Sequence, residues 1–211
     1  MIALRVITQF NEFEAMSSAW DDLLLRCSTQ NPYLSHDWIC SWWKGYGKKY
    51  DFCFVLFEGG SGLMGAVPLV RIKSKYLGMP VSMLEVPASY WGHVQIPIAE
   101  NQEKCVKLFL EWIHDEKKSH VLALPRLDAK DDVTKLLMKL VAETHEKYSQ
   151  KNTRRVCIPV NGSWEDYLKG ISKKFRYELK SKSKRIEKLS NFRFERKKSF
   201  DDIDKTISMI Q

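Results

Sequence analysis

No stretch of the 211 residues stays apolar long enough to cross a bilayer. The longest nearly unbroken run, residues 62–70, is about half of the ~20 residues a spanning helix needs. The first ten residues, MIALRVITQF, are too short and too polar for a secretion signal. A cytoplasmic protein is the expectation, although a basic helix could still rest on an anionic membrane surface. There is no CxxC pair. The five cysteines (27, 40, 53, 105, 157) are scattered and odd in number, which argues against a disulfide framework or a zinc site and for a reducing compartment. His114 and His120, in HDEKKSH, lack a helical ligand spacing, so no metal is expected. No low-complexity tract, Gly/Ser linker or repeat of about 20–50 residues is present.

Aromatic residues, by contrast, are plentiful at 12%, with seven tryptophans, enough for a sizeable core. The length allows one large domain, or one domain and part of another. The charge is concentrated. Residues 169–188 hold nine Lys or Arg against two Glu, a net +7 of the chain's +8. The basicity is therefore local.

Read in order, residues 3–8 alternate as an opening strand. Residues 10–26 read as one helix with Phe13, Met16, Trp20, Leu23 and Leu24 on a face. Ser35 caps a second helix that carries Trp38, Ile39, Trp42 and Tyr46 together, with Trp43 turned away. DFCFVLF (51–57) is a buried strand, EGGSG a hairpin turn, and 63–73 the returning strand, in which Pro68 argues for a bulge or an edge. Two more strands are expected at 81–86 and 93–98. A helix (102–118), a strand (121–124), a helix (131–148) and a strand (155–160) follow.

Ser163 and Asp166 form a capping-box pair ahead of Trp164, Tyr167, Leu168 and Ile171. Ser172 caps the next helix, where Phe175, Leu179, Ile186 and Leu189 share one side and charge fills the rest. A strand at 192–196 and the start of a helix at 200–211 close the order. That last periodic pattern meets no cap and is expected to continue. The strand–helix–helix–strand opening thus occurs twice, which gives an expected α/β division into 1–153 and 154–211.

Three segments carry a family resemblance. HDWICSWWKGYG with Ser35 resembles the aromatic helix of the CelD-like acetyltransferases of exopolysaccharide and cellulose clusters. GAVPLV (65–70) is similar to that family's G-x-x-P-L strand. Trp164, Tyr167, Leu168, Ser172, Lys174, Arg176, Leu179 and Arg185 resemble its basic helix pair. The resemblance implies a GNAT fold: a mixed sheet flanked by helices, followed here by the opening elements of a second unit, as in the Fem-type tandem transferases. It also implies acetyl-CoA as cosubstrate and a small-molecule or saccharide amine as acceptor. The family's diphosphate-binding pattern, Arg/Gln-x-x-Gly-x-Gly/Ala, has no match; Gly59, Gly60 and Gly62 lie in a hairpin turn and Gly78 precedes Met79-Pro80. The resemblance places acyl binding in the second unit of such proteins, so the catalytic residues are unknown here.

Candidate substrate contacts are Tyr90 and His93, in a loop between strands, where a His could take a proton from an amine. Lys173, Lys174 and Arg176 are the others, at a helix start that favours anions. The ordinary alternatives are a hydrogen-bonded structural His and a solvated helix face. No nucleic-acid fold signature accompanies the charge, so nucleic acid is not expected. Trp38, Trp42 and Trp43 read as core. His36 shares a helix face with Cys40, but nothing in the sequence orients it. Two functions follow: acyl transfer to an amine on a sugar or cell-envelope precursor, or a non-catalytic module that binds an anionic polymer, lipid or partner.

Overall fold

The structure is a computed structural model; it describes residues 2–27, 31–60, 62–76, 78–87, 94–116, 119–144, 147–152 and 162–189. The chain divides into two compact units, Met1–Thr153 and Arg154–Gln211.

The first unit is a five-stranded sheet in the order β1-β2-β3-β4-β5. The strands are β1 (Ala3–Ile7), β2 (Asp51–Gly59), β3 (Gly62–Tyr76), β4 (Met79–Glu85) and β5 (Val121–Ala123). The first four pair antiparallel. β5 joins β4 in parallel, through Met83↔Val121 to Glu85↔Ala123, because helix α4 (Gln102–Asp115) carries the chain back across the sheet.

β2 shows why both faces must be covered. Its residues 52 to 57 are all buried. Phe52, Phe54 and Leu56 join one core cluster, with Phe13, Trp20, Leu23 and Ile39. Cys53, Val55 and Phe57 join the other, with Val106, Phe109, Val133 and Leu137. Helices α1 (Phe10–Glu14), α2 (Ser17–Arg26) and α3 (His36–Tyr46) cover the first face. α4 and α5 (Asp132–Glu143) cover the second. A continuous apolar run is what a strand buried on both faces requires. Trp20 is fully buried and its indole N–H donates to the Leu34 carbonyl at 2.7 Å.

Four expectations change. Residues 10–26 form two helices, because the chain turns at Ala15–Met16, where the Met16 amide bonds the Phe13 carbonyl. The hairpin is tighter than EGGSG suggests: Gly59 still pairs with Gly62, which sits at φ 92°, a conformation open to glycine. Trp43 is not turned away. It stacks on Phe10 and meets Phe52 edge-on at 4.9 Å, since α3 lies across the sheet closely enough for two helix faces to touch the core. The helices expected over 102–118 and 131–148 stop at Asp115 and Glu143.

In the second unit, α6 (Trp164–Gly170) and α7 (Lys173–Glu187) are described. The Ser163–Asp166 capping box forms, and Ser172 accepts from the Phe175 amide. The strands expected at 155–160 and 192–196 and the helix at 200–211 lie outside the described residues.

Candidate functional site

The sheet is interrupted beside its parallel pair. The β3–β4 ladder ends at Val70↔Glu85. The next contact on that edge of β3 is an antiparallel bridge from Gly65 to Ile98. Five steps along β3 thus face thirteen along the partner chain, and the described residues 94–98 take up the β4 line again. The strand expected at 93–98 is, within the described residues, a resumption of the β4 line.

Pro68 lies opposite the gap. Side and backbone directions alternate along a strand, and the Ala66 amide points away from β2 to the Pro97 carbonyl at 2.8 Å. Pro68 shares that direction, and having no N–H it leaves no donor unpaired where β4 departs. The expectation of an edge position is corrected: β3 is the central strand, and only this stretch of its ladder is open. Gly65 allows the return. A Cβ there would stand 3.0 Å from Ile98 Cγ1 and 3.1 Å from Ile98 Cα. The returning segment is tied on both sides, by the Ala99 amide to Met64 O at 2.9 Å and by the Val94 amide to Arg126 O at 3.1 Å. Arg126 takes φ 61° at the turn that brings Leu127 into a parallel bridge with Val94.

Two charged residues at the interruption were missed by sequence reasoning. Glu85, the last residue of β4, is 8% exposed. It pairs across from Val70, which pairs with Phe52, so it lies on the α1–α3 face. The signal was a lone acid ending an apolar strand, SMLEV. Arg26, at the end of α2, bonds Asp22 and Glu100 at 2.9 and 2.8 Å and donates to the Leu63 carbonyl. It fastens α2 to the start of β3 and to the segment leading into α4. Across the second face, Arg71 donates to Ser119 Oγ at 3.0 Å and pairs with Glu116 at 3.4 Å. His120 Nδ1 accepts from the Ser82 amide, so this histidine fixes the parallel register of β5.

The cosubstrate implied by the resemblance needs amides opening a helix to hold its diphosphate. The helix after β4 is α4. It begins at Asn101 in the left-handed region, φ 50°, with no side-chain cap bond. Glu100 and Glu103 stand on either side, and Lys107, bonded at 2.7 Å, holds Glu103 below the usual carboxylate range. Both carboxylates are ion-paired, Glu100 with Arg26 and Glu103 with Lys107, and residues 94–101 ahead of α4 contain no glycine, so no glycine-bearing loop offers its amides to a diphosphate there. The described residues do not fit that group.

The second unit's helices place the basic candidates. Arg176 turns back to α6: its Nη1 donates to the carbonyls of Leu168, Lys169 and Ile171 at 2.9, 3.3 and 2.9 Å. These are orphan acceptors of a helix end, so Arg176 caps α6. Lys173 and Lys174 open α7, exposed. Among the described residues, no ion pair engages an α7 cation; the unit's ion pair is Lys169–Asp166 in α6. Tyr90 and His93 lie outside the described residues. His36 is buried against Phe13, with Nε2 3.0 Å from the Phe13 carbonyl and Cys40 Sγ 3.7 Å from the ring. Burial raises the Cys40 thiol, the reverse of an activated nucleophile. Among the described residues no group of three or more His, Cys, Asp or Glu could hold a metal, and no helix is long and apolar enough to cross a membrane.

No family model and no curated protein matches the chain. Solved structures resemble it. A possible acetyltransferase from Clostridium difficile is 8% identical over 74% of this chain and 99% of that one, with a TM-score of 0.42. A transcriptional regulator from Bacillus halodurans is 15% identical over 74% and 100%, with a TM-score of 0.40. A Trypanosoma brucei acetyltransferase is 16% identical over 72% and 100%, with a TM-score of 0.38.

Proposed function

We propose that this chain is part of a GNAT-type acyltransferase architecture that moves an acyl group, acetyl in the first instance, from acyl-CoA to an amine. The acceptor is a small molecule or saccharide, a sugar or an exopolysaccharide or cell-envelope precursor, and the setting is cytoplasmic. One observation carries the reading: four antiparallel strands continue into a parallel β4/β5 pair across α4, with the β4 line interrupted beside that pair. Ligands of crossover sheets collect at the carboxyl ends of parallel strands, and Glu85 stands there. The three sequence segments that resemble the CelD-like family supply the choice of chemistry. In this reading residues 1–153 are the first GNAT-like domain and 154–211 open a second. The first unit contributes framework and acceptor contacts, with Tyr90 and His93 as candidates, and does not hold the donor's diphosphate.

The test is a thermal-shift panel of amine-bearing sugars and sugar nucleotides, with acetyl-CoA titrated by calorimetry. A saturable shift with an amine acceptor and no acetyl-CoA binding is expected. Saturable acetyl-CoA binding would overturn the assignment of the first unit, and no acceptor response would overturn the reading itself. A second reading, a non-catalytic module for anionic partners, draws on the cations of α7 that no carboxylate pairs among the described residues, with Lys173 and Lys174 at its start.

A further inference from the structure

α7 is amphipathic, and among the described residues both of its faces carry exposed side chains, with Leu179 half-buried. At 3.6 residues per turn, Phe175, Leu179, Ile186 and Leu189 fall within about 80° of one another. Phe175, Ile186 and Leu189 remain 45%, 40% and 60% exposed, and Trp164 at the start of α6 is 59% exposed, stacked on Tyr167 at 5.3 Å. The described residues leave this stripe largely uncovered. The opposite side repeats one sign. Arg176, Lys180, Lys184 and Lys188 follow one another at i,i+4, a spacing at which like charges repel. Residues 173–188 hold eight Lys or Arg against two Glu, without an ion pair among the described residues. Such a helix is stabilised by an anionic partner that also takes up apolar side chains.

We infer that α7 lies in the surface of an anionic phospholipid bilayer, its stripe among the acyl chains near the head groups and its cations facing the lipid phosphates. The combination of a strongly cationic face, a Phe/Ile/Leu stripe and low overall hydrophobicity is that of an interfacial helix. A linear polyanion accounts for the cations and leaves the stripe exposed. A groove on an acidic protein suits the stripe poorly, because Lys182 lies within it and a dry groove would bury that ammonium. At a bilayer the Lys182 stem runs along the acyl boundary and its ammonium reaches the head groups. The inference rests on the second reading above and needs no acyl transfer.

Vesicle flotation of the 211-residue chain tests it, without acyl donor or acceptor. Phosphatidylcholine vesicles with about one third phosphatidylglycerol are expected to bind the chain, and pure phosphatidylcholine to bind it at least tenfold more weakly. I186S with L189S leaves the charge unchanged and is expected to lower partitioning about tenfold. In a second measurement, F175W adds tryptophan emission that brominated acyl chains quench beyond the parent's seven tryptophans, and the emission added by Y177W is not quenched. Absence of vesicle binding, equal binding to neutral vesicles, or binding indifferent to I186S/L189S overturns the inference. So does heparin or oligonucleotide binding stronger than vesicle binding. Should the double variant unfold, the quenching pair decides, and equal quenching at 175 and 177 overturns it.

Discussion

Gly65→Ala tests the sheet interruption directly. The new methyl would meet Ile98 Cγ1 at 3.0 Å and Ile98 Cα at 3.1 Å, both inside ordinary carbon contact distance. A side chain could rotate away, but the Cα belongs to a segment hydrogen-bonded to β3 at 2.8 and 2.9 Å. Relief therefore means moving backbone. Overpacking of this kind costs about 1–3 kcal/mol. Losing one of the two backbone bonds adds about 0.5–1.5 kcal/mol. The Gly→Ala gain from a stiffer unfolded chain returns about 0.4–1 kcal/mol. The net loss is about 0.5–4 kcal/mol, a fall of roughly 1–16 °C in Tm for a unit of this size. Urea and thermal melts measure it, and hydrogen exchange at Ala66 and Ala99 locates it, with faster exchange expected at both amides. Ile98→Ala alone removes a buried side chain and costs about 2–5 kcal/mol. Combined with Gly65→Ala it should cost less than the sum, because part of the clash goes with the side chain. A Gly65→Ala protein as stable as the parent, with unchanged exchange, would refute the placement of residues 97–99 against β3.

Trp20→Phe strands the buried Leu34 carbonyl and leaves a cavity; about 2–4 kcal/mol of stability should be lost in urea melts. Arg176→Ala uncovers three carbonyls at the end of α6. Amides late in α6 should exchange roughly two- to tenfold faster, with the first unit's melt unchanged. Burial pushes the thiols of Cys27 and Cys105 up to about 11, from 9.0. Their protonated form is favoured by folding, so this stability is intact below pH 9 and is lost as pH rises toward about 11. Melts in Cys27→Ala and Cys105→Ala should show a shallower alkaline decline than the parent, and native Cys105 should resist alkylation at pH 8.

The legible parts of the fold were those in which side-chain period and burial coincide. β2 declares itself because every residue from Phe52 to Phe57 is buried. The caps at Ser35, Ser163 and Ser172 are local hydrogen bonds between residues three apart, so sequence neighbours suffice to announce them. The break at Ala15–Met16 was hidden because Phe13, Met16 and Trp20 keep helical spacing through it. Residues 94–98 look like a strand from their alternation, and only their partners show them to be a resumption of β4. Arg176 read as an anion contact because its acceptors are backbone carbonyls, which every sequence has and none displays.

The sequence by itself determined a two-sided α/β sheet, the caps, and a helix whose cations gather in twenty residues, because these depend on periodicity, side-chain volume and charge along one segment. Tertiary structure alone decided that Pro68 faces a gap in the central ladder, that Glu85 and Arg26 stand beside it, and that Arg26 pairs with Glu100 ahead of α4. Each of those facts joins residues distant along the chain. Register, the relation between backbone groups on different strands, carries no mark in the order of side chains.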